Sequence, residues 1–416
     1  MKAFQSLINQ LRLSYPTRAS QLDALEKAEF PDSKTDGWRY TELADLYATD
    51  WTMNTSASAN GAPFKSLTLS VVDSCVVIGV NNGELSAPTI LPDGIELKSE
   101  DADCFDLEAQ KSNSFLVLNQ LGRVHAVKIK ITSSFTESRP IHIAVMSTVP
   151  VGTDSAIFPH INLIVEAGVQ AKVMITFESP DGVRLLCDSM FTVNLERDAK
   201  LHLLEFQKQG SEVFHLSTNV INLKHNSQFS CMALSLGSQF SRHDLRVTML
   251  EENAGVSIKG LYLVDGNRFA DFQTQVLHLA SSCTSEQVFK GVLSGQAKAN
   301  FDGLIHICET TEKSVALQIN RNMLLSQDAS VHASPSLEIY ADDVKCSHGC
   351  TIGQLDEDQV FFLRSRGIPE NETRALLTFA FANDIVQHDE ELYGLKPYVE
   401  ECINKLNVSS TAEGEK

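Results

Sequence analysis

Six times in this chain a turn residue is followed by small and apolar residues at every second position. Gly168 leads into Val169, Ala171, Val173 and Ile175, Asp198 into Ala199, Leu201 and Leu203, and Asn226 into Ser227, Phe229, Cys231 and Ala233. Asn253 leads into Ala254, Val256 and Ile258, Gln296 into Ala297, Ala299 and Phe301, and Asp328 into Ala329, Val331 and Ala333. The turn residues lie 30, 28, 27, 43 and 32 positions apart, so a single interval breaks a near-constant step. Alternation at period two is the pattern of strands. Asn and Asp suit the corners because they tolerate left-handed backbone and hydrogen-bond their own main chain. A unit this short cannot bury its apolar face alone, so its recurrence predicts a solenoid of stacked coils, a parallel β-helix. A β-sandwich is the alternative; it supplies alternating strands but does not require the same phrase to recur.

The flanks have another rhythm. Residues 1–93 read as a mainly helical N-terminal domain, with Phe4, Ile8 and Leu11, then Leu22, Leu25 and Ala28, at helical spacing. Pro31-Asp32-Ser33 breaks that pattern, and Trp38 and Tyr40 just after it are expected to be packing anchors. Residues 94–350 form the β-helix core, with no long helical window expected inside it. Residues 351–416 form a C-terminal helical domain that docks a partner. There Asp356 is placed to cap a helix ending at Arg366-Gly367, and Pro369 opens the next. A last short helix gathers Val399, Cys402, Ile403 and Leu406, and the polar tail from Ser409 is expected to be unstructured.

A chain of 416 residues suits an elongated solenoid with appended helices better than one compact domain. Its 34 basic and 53 acidic residues give a formal charge of −19, which repels phosphate backbones and anionic lipid. Nucleic acid and membrane are therefore not expected as partners. No window is apolar enough for a membrane span, and the first residues lack a signal-peptide pattern. The nine cysteines are spread through a long chain, which reads as reduced thiols in a cytoplasm.

The chemistry-bearing stretch is Lys345-Cys346-Ser347-His348-Gly349-Cys350. On a strand, Cys346, His348 and Cys350 share one face and Lys345 takes the other. A thiolate and an imidazole side by side are ligands for a soft metal or an iron–sulfur cluster. The spacing matches no closed zinc site, and two or three ligands are too few to hold a cluster without a partner. The same spacing also fits a packed thiol and a satisfied histidine. Elsewhere there is no P-loop, no dinucleotide fingerprint and no nucleophile elbow. His202, His215, His225 and His278 are scattered through strand segments, and Cys231, Cys283 and Cys308 read as wall thiols. Acidic pairs such as Asp342-Asp343 and Glu251-Glu252 point to opposite faces of a strand, which is poor geometry for acid–base work.

From Leu337 to Gly349 (Leu-Glu-Ile-Tyr-Ala-Asp-Asp-Val-Lys-Cys-Ser-His-Gly), and on through Phe362-Leu363-Arg364-Ser365-Arg366-Gly367, the sequence resembles the SufB/SufD family. Gln318-Ile319-Asn320-Arg321-Asn322 and Gly37-Trp38-Arg39-Tyr40-Thr41 fit the same family, and chain length with the latter motif favours its SufD branch. The resemblance implies a right-handed parallel β-helix flanked by helical domains, with no catalysis of its own. It implies a complex with a SufB paralogue and the ABC-type ATPase SufC, and a nascent iron–sulfur cluster, or iron, held transiently at the SufB interface. Carried over, Cys346 and His348 are the cluster and metal ligands, and no cofactor is permanently bound. Phe361, Phe362, Leu363, Arg366, Leu376, Leu377 and Phe379 would dock SufC. Cys350 stands where the family usually has Ala; it is either an inert substitution or a third thiol. In isolation the chain could pair with itself. Two other readings are a bare brace for SufB and a carbohydrate-active β-helix enzyme, for which convergent carboxylates are missing.

Overall fold

The computed structural model describes residues 4–27, 30–54, 75–86, 91–100 and 113–413. Ala28, part of the expected N-terminal helical spacing, lies outside them. The core is a two-sheet parallel solenoid. Sheet A runs, in spatial order, Ile95–Glu100, Ala126–Ile131, His160–Val165, Leu185–Leu195, Val213–Leu223, Phe240–Met249, Phe269–His278, Lys298–Ile307 and Ser330–Ile339. Two short strands, Thr52–Met53 and Ser155–Ile157, join its side. Sheet B runs Glu84–Leu85, Val76–Asn81, Ile141–Met146, Gln170–Glu178, Lys200–Lys208, Gln228–Ser235, Gly255–Val264, Thr284–Leu293, Ser314–Leu324 and Val344–Gln354. From His160 onward the chain alternates between the sheets, and every pairing links a strand to the one a full coil later, in parallel. A sandwich is thereby excluded. Strands begin ahead of residue 94 and the last one ends at Gln354.

The irregular 43-residue step has a simple origin. The corner from sheet A to sheet B is turned by a left-handed residue in six successive coils: Gly168, Asp198, Asn226, Asn253, Ser282 and Lys313, with φ between 55° and 73°. Those positions lie 30, 28, 27, 29 and 31 apart. Gln296 and Asp328 belong to the opposite corner, so the sequence pattern had jumped from one edge of the solenoid to the other. Ser282 and Lys313 are invisible to a search for Gly, Asn and Asp. The corners also bond to one another: the N–H of Asp198 donates to His225 O at 2.9 Å, that of Asn226 to Glu252 O at 3.0 Å, and that of Lys313 to Asp343 O at 2.7 Å.

Alternation sorts the side chains into three cores. The bore between the sheets takes Val173, Leu203, Ile221, Phe229, Ile258, Phe289 and their neighbours. The outer face of sheet A presents Leu186, Phe214, Phe240 and Phe269 to the N-terminal segment. That segment carries α1 (Gln5–Ser14), α2 (Ala19–Lys27), α3 (Ala44–Ala48) and, later in the chain, α4 (Ser114–Gly122). Helix α4 is a nine-residue interruption of 94–350, where no long helical window was expected. Nearly all its residues are buried, the polar Ser114, Asn119 and Gln120 included, so its polar positions do not mark a solvent face for a helical period to show. Its Asn113 cap accepts from Phe115 N at 3.1 Å.

The outer face of sheet B presents Phe206, Leu234, Leu261 and Leu263 to the C-terminal helices. After α5 (Glu357–Ser365) come α6 (Glu370–Tyr393) and α7 (Lys396–Glu413), which contribute Ile385, Val399, Ile403 and Leu406. Asp356 caps α5, accepting from Asp358 N at 2.9 Å, and Gly367 has φ 88°, as expected of these two residues. The tail differs: α7 continues through Ser409 to Glu413, and residues 414–416 lie outside the described set. Each sheet is therefore covered over part of its outer face and left bare at the last coil.

Candidate functional site

The final coil is paired on one side only. Among the described residues, Val344–Gln354 bonds to Ser314–Leu324 and Ser330–Ile339 to Lys298–Ile307, and neither has a further partner. The register sets Cys346 over Ala316, His348 over Gln318 and Cys350 over Asn320. Because Ala316, Gln318 and Asn320 are buried, the three site residues crown the bore, while Lys345 and Ser347 lie over Val315 and Leu317 on the outer face. The shared face expected from the sequence is present. Successive residues of the trio are separated by about 6.6 Å along the strand, so the coil offers a row of donors and not a closed pocket.

Each donor sits differently. Cys346 is half-buried and packs against Ile305, Ile307 and Ala316. His348 is exposed. Cys350 is exposed, and its thiol donates to Asn320 Oδ1 at 3.8 Å. Burial raises the pKa of both thiols, and for Cys346 a backbone hydrogen bond at Ala316 partly offsets it. Neither is an activated thiolate by itself, so a metal or a partner's charge has to displace the proton. An added Cβ at Gly349 would meet nothing, so the isolated chain has no steric need for glycine there. One coil below, Gln318 fills the bore against Gly303, where an added Cβ would lie 2.1 Å from its Nε2.

The expected docking residues divide. Phe361 and Phe362 of α5 and Leu376 of α6 are exposed at 74%, 55% and 50%. Arg366 lies over the Phe362 ring at 5.1 Å, and Phe362, Leu363 and Leu377 line a shallow cavity of about 340 Å³. Phe379 is instead packed against the sheet B core. A larger groove of about 730 Å³ on the outer face of sheet B is lined by Arg139, Lys172, Lys200 and Glu286 and reaches Val315 and Leu317, on the side away from the cysteines.

Trp38 is a packing anchor, 4% exposed and stacked on Phe115 at 5.3 Å. The Arg242 guanidinium lies 3.5 Å over its ring and pairs with buried Asp271, which also accepts from Thr41 Oγ1 at 2.6 Å. Tyr40 remains 45% exposed and stacks on His332 of the final coil.

The structure brings together one further cluster that no strand spacing links. Inside the bore, Glu205 of sheet B faces His215 and His243 of sheet A, all three buried, with ligand atoms within 4.8 Å of one another. Among the described residues this is the group of three such side chains that close; the terminal trio is not. His215 lies over Ser241 and His243 over Ser217, so the two histidines sit on adjacent coils but two residues out of register, a diagonal that no constant step along the sequence announces.

Residues 148–381, more than half of the chain, match the SufBD core domain of the SUF system for iron–sulfur cluster assembly. This span holds the bore cluster, the final coil, α5 and the first half of α6. The chain belongs to the SufB/SufD family of iron–sulfur cluster assembly proteins. It is 28% identical over 389 residues to the iron–sulfur cluster assembly protein SufD of Escherichia coli, covering 92% of this chain and 91% of that one. It is 26% identical over 408 residues to an iron–sulfur cluster assembly SufBD family protein of Synechocystis, covering 93% and 90%. The chloroplastic protein ABCI7 of Arabidopsis thaliana is 23% identical over 387 residues, covering 89% and 81%. No described helix is long and apolar enough to cross a membrane.

Proposed function

We propose that this chain is the SufD-like, non-catalytic subunit of a cytoplasmic SufBCD-type complex, and that its final coil is where it meets the SufB paralogue. The observation that carries this reading is the open parallel edge of Val344–Gln354, which bears Cys346, His348 and Cys350 beside unpaired main chain. An unpaired edge is a template for another strand, and a similar solenoid presents one of matching spacing. Cys346 and His348 would then supply part of the coordination of a nascent cluster or iron ion, with the rest from the partner. The exposed Phe361, Phe362 and Leu376, immediately after that strand, suit docking of a SufC-type ATPase.

The burial of Cys346 among Ile305, Ile307 and Ala316 supports a second reading, in which the coil only braces SufB. Co-expression with SufB and SufC paralogues, followed by pull-down and anaerobic absorbance, separates the two. A three-protein complex is expected whose cluster chromophore is lost in His348→Ala and Cys346→Ala while the complex persists. Retention of the chromophore in both variants leaves the brace. Failure of any complex to form, or recovery of a homodimer alone, rejects the assembly with SufB. Unchanged assembly in Cys350→Ala removes the third thiol.

A further inference from the structure

The structure assigns to Glu205, His215 and His243 a binding site for one first-row divalent transition ion, iron(II) or zinc(II), inside the bore and separate from the cysteines of the final coil. The three side chains come from three different strands and converge on one point between the sheets. His243 Nδ1 lies 3.4 Å from Glu205 Oε1 without the alignment of a hydrogen bond. Two ligands about 2.05 Å from a tetrahedral centre stand about 3.3 Å apart, so this pair already has ligand spacing.

The unmet bonding capacity points the same way. Neither ring nitrogen of His215 or of His243 has a hydrogen-bond partner, although both residues are buried. Buried polar atoms of that kind ordinarily have a partner, a water or an ion. The Glu205 carboxylate is buried and accepts from Ser217 Oγ at 3.2 Å and from Asn219 Nδ2 at 2.6 Å. Those two neutral donors orient it, as outer groups do for metal-bound carboxylates, but bring no positive charge to balance it. Phe177 and Phe272 wall the histidines at ring-centroid distances of 4.7 and 4.6 Å, which keeps the surroundings apolar. An ion held between the three side chains would balance a carboxylate in such walls. Two imidazoles and one carboxylate with positions left open select iron(II), cobalt(II) or zinc(II) over the oxygen-seeking calcium and magnesium.

Cobalt(II) is the probe, because its visible bands report low coordination number and a thiolate ligand adds an intense charge-transfer band. The full-length chain is stripped with a chelator, then offered cobalt(II) anaerobically both folded and during refolding, since the walls are closed and loading can accompany folding. One cobalt per chain is expected, with visible bands, without thiolate charge transfer, and displaced by one equivalent of zinc(II) or competed by iron(II). Glu205→Gln and His243→Ala should lose at least a hundred-fold in affinity. Ser217→Ala, which keeps all three ligands, should lose ten- to hundred-fold and guards against a variant that simply fails to fold. Cys346→Ala, His348→Ala and Cys350→Ala should bind as the parent does. The site is overturned by binding below half an equivalent under both loading conditions, or by undiminished binding in Glu205→Gln and His243→Ala. It is equally overturned by a thiolate band that disappears in Cys346→Ala, which would put the ion at the open coil and leave the SufB-interface reading standing.

Discussion

The inner coils and the last coil are made from the same repeating phrase, yet they do opposite things with it. Between about residues 200 and 300 each strand is paired on both sides, and part of each outer face lies under helices. In the last coil one side of each strand is bare, and Ile339, Tyr340 and Ile352 are exposed at 39%, 61% and 46%. A solenoid coil is stabilised by its neighbours, so where the stacking stops the same residues become available for recognition. Burial in this molecule is concentrated in the middle, and unpaired main chain at the end.

The sharpest way to break that comparison is to truncate side chains in both places. Phe229→Ala, fully inside the bore, should cost about 3–5 kcal/mol, whereas Ile352→Ala should stay within about 0.5 kcal/mol. Chemical denaturation of the two variants decides it, and equal losses would make the last coil part of the stable block.

Acid should act on the buried histidines of the solenoid. Burial lowers the pKa of His142 and of His278 to about 4. The unfolded chain takes up protons on these rings near pH 6.5 and the folded chain only near pH 4, so in that window the unfolded state binds more protons. Stability is complete above about pH 6.5 and falls as pH drops toward 4, by on the order of 3 kcal/mol per ring. Melting followed across this range should show the slope, and His278→Gln should flatten it; a slope unchanged in that variant would mean that this ring is not buried neutral.

The smallest effect on the fold should be the largest on association. Ile352→Lys places a charge on the open edge, a device by which natural sheets discourage pairing. Affinity for a SufB paralogue should fall at least ten-fold, about 1.4 kcal/mol, with the melting temperature unchanged. Binding at full strength would move the interface away from this strand.

What could be read from the sequence followed from where its signals are periodic. The two-residue alternation gives the strands, and Asn226 and Asn253 betray their corners because left-handed backbone favours Asn. Ser282 and Lys313 turn the same corner with residues that carry no such preference, so the register slipped to Gln296. The face shared by Cys346, His348 and Cys350 was legible because it lies within one strand. The convergence of Glu205 with His215 and His243 was not, because it depends on which side chains meet across the bore, and no spacing along one strand encodes that. Trp38 was legible as an anchor, but its contact with Arg242 depends on a pairing 204 residues away.

The corners carry a lesson about how such a chain can change in length. Leu195 and Lys200 are separated by a corner of four residues and Ile307 and Ser314 by one of six, yet the strands on either side stay in one-to-one register with the next coil. Insertions and deletions are thus absorbed at the corners, while a single residue lost upstream of Cys346 within Val344–Gln354 would turn that cysteine and His348 outward together. Descendants of this gene are free to drift in length at the corners, but the last strand is locked to its reading frame.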